Sequence, residues 1–429
     1  MIKHIVLLGF LNLIFSAVFA TKYYCDPIKG NMQNKGTYDS PWSRLDSVFL
    51  SNKKLSPGDT IFLRSGFHGY PLVKGNLATA GYITILPQSG HCPKVNKITI
   101  AQAQRWKIIG LKVNPEVINS YDRGDFVAIK STASFIIIEK FNISSTDSCI
   151  HKWSASKLLS SYGLGIRVDG TDCILNGNTI KQVSFGISVS KTATRTKVSN
   201  NIIYGFINDG MRGLSDDSIF EYNLIAGCYG IDDNHDDGFQ SWSTNETGKV
   251  GMGKVSNVVL RGNIFISQLD PAQPFPQERG MQGIGNFDGF FENWIVEDNL
   301  IMTNMWHGIS FYGAINCKIS NNTVLSNPLN KKPFTPWMGV YDHKKLGASS
   351  GNRVSNNLTT GLSEMKGVVE ESNNIKIPNE KLADYFENWN ALELKIKPNK
   401  KSKILAGADL SIVPKIDKKL YACTDGAKN

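Results

Sequence analysis

A chain of 429 residues with 47 Lys and Arg against 37 Asp and Glu carries a formal charge of +10, which biases it toward acidic partners by long-range attraction. A polyanionic polysaccharide is one such partner, with membrane lipid and nucleic acid as alternatives; the basic residues are dispersed, densest from Lys395 to Lys403, and form no nucleic-acid-binding module, which argues against nucleic acid. Beyond the first twenty residues no apolar run approaches the roughly 20 residues a helical span needs, which argues against a membrane-spanning protein.

In chain order, the start reads as a secretory signal peptide over residues 1–20: Lys3, an apolar run from Ile5 to about Phe15, and Val18-Phe19-Ala20 as a small-residue exit. The mature protein is therefore expected to begin at Thr21 and to be secreted or periplasmic. Seven cysteines, at 25, 92, 149, 173, 228, 317 and 423, cannot all pair within one chain, and the lack of a CxxC argues against metal or redox use. Cys25 with Cys92 could form a terminal disulfide, while Cys173 and Cys317 take equivalent places in a repeat described below and suit a small core residue.

Residues 21–96 open with Ser40-Pro-Trp-Ser-Arg-Leu, a short helical stretch to Leu50, and Pro57-Gly-Asp-Thr-Ile-Phe-Leu-Arg-Ser-Gly66. This stretch resembles the N-terminal coils of secreted right-handed parallel β-helix proteins, which include relatives of alginate lyase and chondroitinase B. The resemblance implies an all-β solenoid of the pectin-lyase-like type with a small helix closing its first rung; it speaks to fold and not to chemistry.

From 97 to 362 a repeat carries the same conclusion. Aligning Asn178, Asn201, Asn223, Asn263, Asn299, Asn322 and Asn357 puts Leu175, Val198, Phe220, Leu260, Val296, Ile319 and Val354 three residues before them. Two residues after them come Ile180, Ile203, Ile225, Phe265, Ile301, Val324 and Thr359. A second strand opens with Gly and an apolar follower at Gly165, Gly186, Gly210, Gly238, Gly283, Gly308 and Gly339. The shortest steps, 22 and 23 residues, are one coil each; a coil is too thin to bury its own core, so coils stack and share one apolar column. Asn suits the corner because it tolerates left-handed backbone and its amide can bond to the Asn of the next coil. Neither propeller blades nor a leucine-rich signature is present. Residues 363–429 are expected to cap the last coil, and the whole is expected to be a single-domain monomer.

The longer connections, Asn223 to Gly238, Asn263 to Gly283 and Asn322 to Gly339, edge one strand stack, and insertions on a solenoid gather on its functional face. Strand alternation then turns Arg167, Ser188, Arg212, Gln240, Gly285, Ser310 and Tyr341 outward, with Trp242, Phe287, Tyr312 and His343 two residues further on. Asp209, Asp237, Gln282 and His307 sit just ahead of the strands, and His235 in the loop before Gly238. Exposed aromatics in a row suit stacking on sugar rings.

Uronate polymers are cut without water when the sugar carboxylate is neutralised, a base takes the C5 proton and an acid protonates the leaving oxygen. Arg212 and Gln240 could meet the carboxylate, His235 or His307 could be the base, and Tyr229 or Tyr312 the acid. No cofactor is required by this chemistry. Asp232, Asp233 and Asp236 could offer Ca²⁺ a set of oxygen ligands, although the glycine and terminal acid of a helix-loop-helix calcium loop are missing.

Tyr229-Gly-Ile-Asp232 resembles the Tyr-Gly-Phe-Asp-Pro-His of mannuronan C5-epimerases, in which Tyr, Asp and His are catalytic; His235 arrives one residue late. Asp232-Asp233 and His307-Gly308 partly resemble polygalacturonases, whose Asn-Thr-Asp motif is absent. The expectation is an exported β-helix protein cleaving an acidic polysaccharide by β-elimination, with epimerisation, hydrolysis or non-catalytic binding as alternatives on the same fold.

Overall fold

A computed structural model of the chain describes residues 20–77, 80–115, 123–150, 153–273, 275, 280–329, 334–392, 394–403 and 406–408; residues 1–19 of the expected signal peptide lie outside them. The chain visits three faces in turn, and each strand pairs in parallel with the one a coil later. Lys197–Ser199 lies beside Ile219–Glu221, Ile202–Phe206 beside Leu224–Cys228, and Met211–Gly213 beside Asp237–Trp242. Two of the three ladders are joined by the shared strand Ile98–Ile109 into one 23-stranded sheet, and the third is a 12-stranded sheet. The fold is a right-handed parallel β-helix.

What closes it is the apolar column. Ile166, Ile187, Met211, Phe239, Ile284 and Ile309 pair in register down one ladder, and all are at most 1% exposed. Leu175, Val198, Phe220, Leu260, Val296 and Ile319 do the same on the second, and Ile180, Ile203, Ile225, Phe265, Ile301 and Val324 on the third. Each such side chain contributes about 1.5–3 kcal/mol of burial.

At one corner the amides of Asn178, Asn201, Asn223, Asn263, Asn299 and Asn322 each donate from Nδ2 to Oδ1 of the Asn one coil on, at 2.8–3.0 Å. The column runs on through Asn357 to Asn374. The left-handed backbone falls one residue earlier than expected: Gly177, Asn200, Tyr222, Gly262, Asp298, Asn321, Asn356 and Asn373 all have φ between +49° and +65°. The preceding residue makes the turn, and this aims the following Asn inward, where a buried amide needs its neighbours.

The strand pattern continues past 362, through Val368–Ser372 and Ile375–Lys376. Beyond it Ile377, Leu382, Phe386 and Leu394 pack on the outer face of the 12-stranded sheet, against Leu224, Ile264, Leu300 and Leu325. At the other end the helix Leu45–Leu50 buries Leu45, Val48 and Phe49 over the first coils. Among the described residues no helix is long and apolar enough to cross a membrane.

The expected Cys25–Cys92 bridge is absent. Cys25 ends a strand with its side chain in the core, Cys92 is exposed, and both are free. Cys149 is disulfide-bonded, Cys173 and Cys317 are buried and free, and Cys423 lies outside the described residues.

Candidate active site

The strands Met211–Gly213, Asp237–Trp242, Gln282–Asp288, His307–Tyr312 and Trp337–Tyr341 form one wall. Arg212, Gln240, Gly285 and Ser310 are paired side by side along it. The last coil is shifted two residues from the expected frame: Gly339 pairs with Ser310, Tyr341 with Tyr312, and Trp337 with His307. Met338 and Val340 are both buried, so the core accepts this register. It also lays the Tyr341 ring on Tyr312 at 4.5 Å and 14°, and the Trp337 ring edge-on to His307 at 4.6 Å.

The aromatic row is displaced in consequence. A bulge after Ser241 pairs Trp242 with Asp288, and Trp242 instead carries the Arg212 guanidinium at 5.2 Å. Phe287, Tyr312 and Tyr341 form the platform, Phe287 to Tyr312 at 5.9 Å. Gly285 makes room for it: a Cβ there would sit 2.4 Å from the Phe287 ring and 2.4 Å from Asp237 Oδ1.

A cleft of about 500 Å³ opens above this floor, lined by His235, Gln240, Trp242, Gln282, Phe287, His307, Tyr312 and Lys344, with Ser241, Val250 and Asp288 at its sides. Phe287 stands between two imidazoles, 6.4 Å from the His235 ring and 4.8 Å from that of His307. His235 is exposed and lies 3.8 Å from the fully buried Asp237 carboxylate, which raises its proton affinity. His307 is lowered to about 4, chiefly by burial and further by His235 and Lys344. Its Nδ1 lies 2.9 Å from Ser310 Oγ; in the tautomer that donates Nδ1–H to the hydroxyl, Nε2 carries the lone pair.

Beneath the cleft, Asp237 Oδ2 accepts from Gln240 Nε2 at 3.0 Å, and Asp209 Oδ1 accepts from the Asp237 backbone N–H at 3.0 Å. Burial drives the proton affinity of both carboxylates up. Arg212 is ion-paired to Asp209 and sandwiched by Phe185 at 4.2 Å and Trp242, and it does not line the cleft.

Other expected site residues lie elsewhere. Arg167 pairs with Asp125 at 3.0 Å two coils before Gln240's neighbour Arg212. Tyr229 is buried in a satellite cluster with Tyr162, Ile150 and Ile207, where burial raises its phenol. His343 is off the platform, stacked on Phe290. Asp232 Oδ1 accepts from the Asn234 backbone N–H, and Asp236 is buried beside Cys228, where desolvation raises its carboxyl to about 8. Among the described residues no three Asp, Glu, His or Cys groups are arranged to hold a metal ion.

No protein-family model matches the chain, and no curated protein matches it in sequence. Solved structures of similar fold include a rhamnogalacturonan lyase, at 13% identity over 91% of this chain and 99% of that one with a TM-score of 0.48. The A-module of a mannuronan C-5 epimerase from Azotobacter vinelandii matches at 15% identity over 78% of this chain and 91% of that one, with a TM-score of 0.49. A GH136 lacto-N-biosidase from Eubacterium ramulus matches at 13% over 83% and 68%, with a TM-score of 0.48. At these identities the likeness concerns fold alone.

Lys344, Asp288 and Trp337 escaped the sequence reading. The signal for Trp337 was the Trp-Met-Gly-Val-Tyr alternation, which fits the wall in either of two registers. Lys344 lies past the end of its strand, where periodicity says nothing, and Asp288 ends its strand opposite the bulge after Ser241.

Proposed function

We propose that the cleft cleaves an acidic, uronate-containing polysaccharide by β-elimination. The observation that carries this reading is the pair of imidazoles flanking Phe287 with their proton affinities driven apart, since two titratable groups separated by environment are what acid and base roles require. A uronate ring stacked on Phe287 and Tyr312 presents its C5–H to His307 Nε2. As that proton leaves, its electron pair forms the C4=C5 bond, the C4–O bond breaks, and the leaving oxygen takes a proton from the His235 imidazolium. Hydrolysis is less well supported, because Asp209 and Asp237 are 1% and 0% exposed and are engaged below the floor.

The test is incubation with alginate, pectate and glycosaminoglycans while following the ultraviolet absorbance of the unsaturated uronate product. New reducing ends without that absorbance would mean hydrolysis. Retention of polymer with no new ends would leave a carbohydrate-binding protein, or an epimerase if the polymer takes up solvent deuterium at C5.

A further inference from the structure

The β-elimination reading leaves the substrate carboxylate without an assigned partner, since Arg212 is paired with Asp209 and does not line the cleft. Among the described residues lining the cleft, Lys344 is the only Lys or Arg. Its ammonium stands 5.4 Å from the Tyr312 ring centroid and 5.8 Å from that of Phe287. Its partner is Asp288 Oδ1 at 3.0 Å, and both side chains are about half exposed, 45% and 50%. An ion pair this wet is worth little and can be exchanged for another carboxylate.

The residue before it is fixed from three sides. His343 Nδ1 accepts from the backbone N–H groups of Lys345 and Leu346, each at 3.0 Å. Nδ1 therefore carries the lone pair and Nε2 the proton, which it donates to the Gly251 carbonyl at 3.0 Å. The ring stacks on Phe290 at 4.8 Å and 27°, and the His343 N–H closes the loop onto Gly347 O. One imidazole thus folds the loop that carries Lys344 and ties it to the loop that carries Val250, both of which line the cleft.

We propose that Lys344 is the specificity-determining residue that selects an acidic over a neutral sugar in this cleft, and that His343 is the positioning residue that holds it there. The proposal rests on the reading of the cleft as a uronate site. The carboxylate displaces Asp288 from the ammonium while the sugar ring remains on the platform, so affinity for a neutral polymer does not depend on Lys344.

The two functions of His343 can be separated by shape. Asn places an oxygen where Nδ1 stands, keeping the acceptor for Lys345 and Leu346 and losing the reach to Gly251. Gln places an amide N–H where Nε2 stands, keeping Gly251 and losing the acceptor. If the turn sets Lys344, His343→Asn restores what His343→Gln loses.

The experiment is retention of the protein in native gels containing alginate, pectate or chondroitin sulfate, against a neutral dextran control, across a salt series. Lys344→Gln is expected to raise Kd for the acidic polymer about tenfold, the worth of one charge-assisted contact. It should also flatten the salt dependence while leaving the thermal midpoint and dextran retention unchanged. His343→Gln should match Lys344→Gln, and His343→Asn should bind as the unaltered protein does. An unaltered protein retained by no acidic polymer overturns the uronate reading and the selector with it. Unchanged affinity and salt slope in Lys344→Gln, where the unaltered protein is retained, overturn the selector alone; equal behaviour of His343→Asn and His343→Gln overturns the positioning role.

Discussion

Two outer faces of the same solenoid met opposite fates. On the 12-stranded sheet, the residues that alternate with the core-facing Ile225, Phe265, Ile301 and Val324 are again apolar: Leu224, Ile264, Leu300 and Leu325. The chain returns over them with Ile377, Leu382, Phe386 and Leu394. On the wall of the 23-stranded sheet the corresponding places are held by Arg212, Gln240, Gly285 and Ser310, with rings above them, and a cleft stands open. An apolar outer face is an edge the protein must cover; a face of amides, imidazoles and half-exposed rings can remain in water and meet a ligand.

The sharpest way to break this comparison is to remove the base from the open face. His307→Ala is expected to lower turnover of the acidic polymer about a hundred- to ten-thousandfold while leaving gel retention intact. Turnover that survives the substitution would move the chemistry off His307. The pH profile gives a second reading of the same pair. With His307 lowered to about 4 and His235 raised by Asp237, activity should hold down to about pH 4 and fall on the alkaline side, above the ordinary imidazole range. His235→Gln should remove the alkaline limb.

The covered face is tested by Phe386→Ala. Phe386 is 3% exposed and stacks on Trp389 at 5.7 Å, so truncation should cost about 3–5 kcal/mol locally. The loss should appear as faster amide exchange in the C-terminal segment and at Leu224, Ile264 and Leu300, with the cleft's affinity unchanged. Uniform protection across both sheets would mean that the segment is not what shields that face.

How much of this was legible in the sequence follows from the same contrast. Wherever side chains enter the shared core, one template constrains every coil, and Ile187, Phe239 and Leu260 could be placed by counting. The outward residues obey the template only while the register holds. The bulge after Ser241 and the two-residue shift at Trp337 changed which rings neighbour one another: Met338 and Val340 fill the core in the observed register, where the expected one would set Asp342 opposite the buried Phe311. Tyr229 was drawn in by a local motif, yet its neighbours Cys228 and Ile231 place it among apolar side chains. The left-handed corner residue was missed by one position, because Asn200, Asn321 and Asn356 stand beside ladder Asn residues of the same type.

Beneath the open face lies a smaller effect. Asp236 is 3% exposed, accepts from Cys228 Sγ at 3.2 Å, and is raised to about 8, chiefly by desolvation. A carboxyl whose folded pKa exceeds its unfolded value contributes most below the unfolded pKa of about 3.9, and that contribution is lost as pH rises through the folded value. The stability difference between the unaltered protein and Asp236→Asn should therefore shift in favour of the variant between about pH 4 and pH 8, by on the order of a few kcal/mol. Parallel denaturation midpoints across that range would mean that Asp236 is not buried as a neutral acid.

The smallest effect concerns Asp288, and its sign is informative. If the rim of the cleft were merely a solvated charge pair, Asp288→Asn would weaken or leave unchanged whatever binds there. In the proposed arrangement Asp288 competes with the ligand carboxylate for Lys344, and at 50% exposure it competes weakly. Its removal should tighten retention by alginate or pectate about twofold at low salt, with the gain lost at high salt. The gain should also vanish in the Lys344→Gln background, because the two substitutions act through one ammonium and cannot be additive. A gain that persists without Lys344 would trace to general like-charge repulsion along the wall, and the pairing of ammonium with sugar carboxylate would have to be given up.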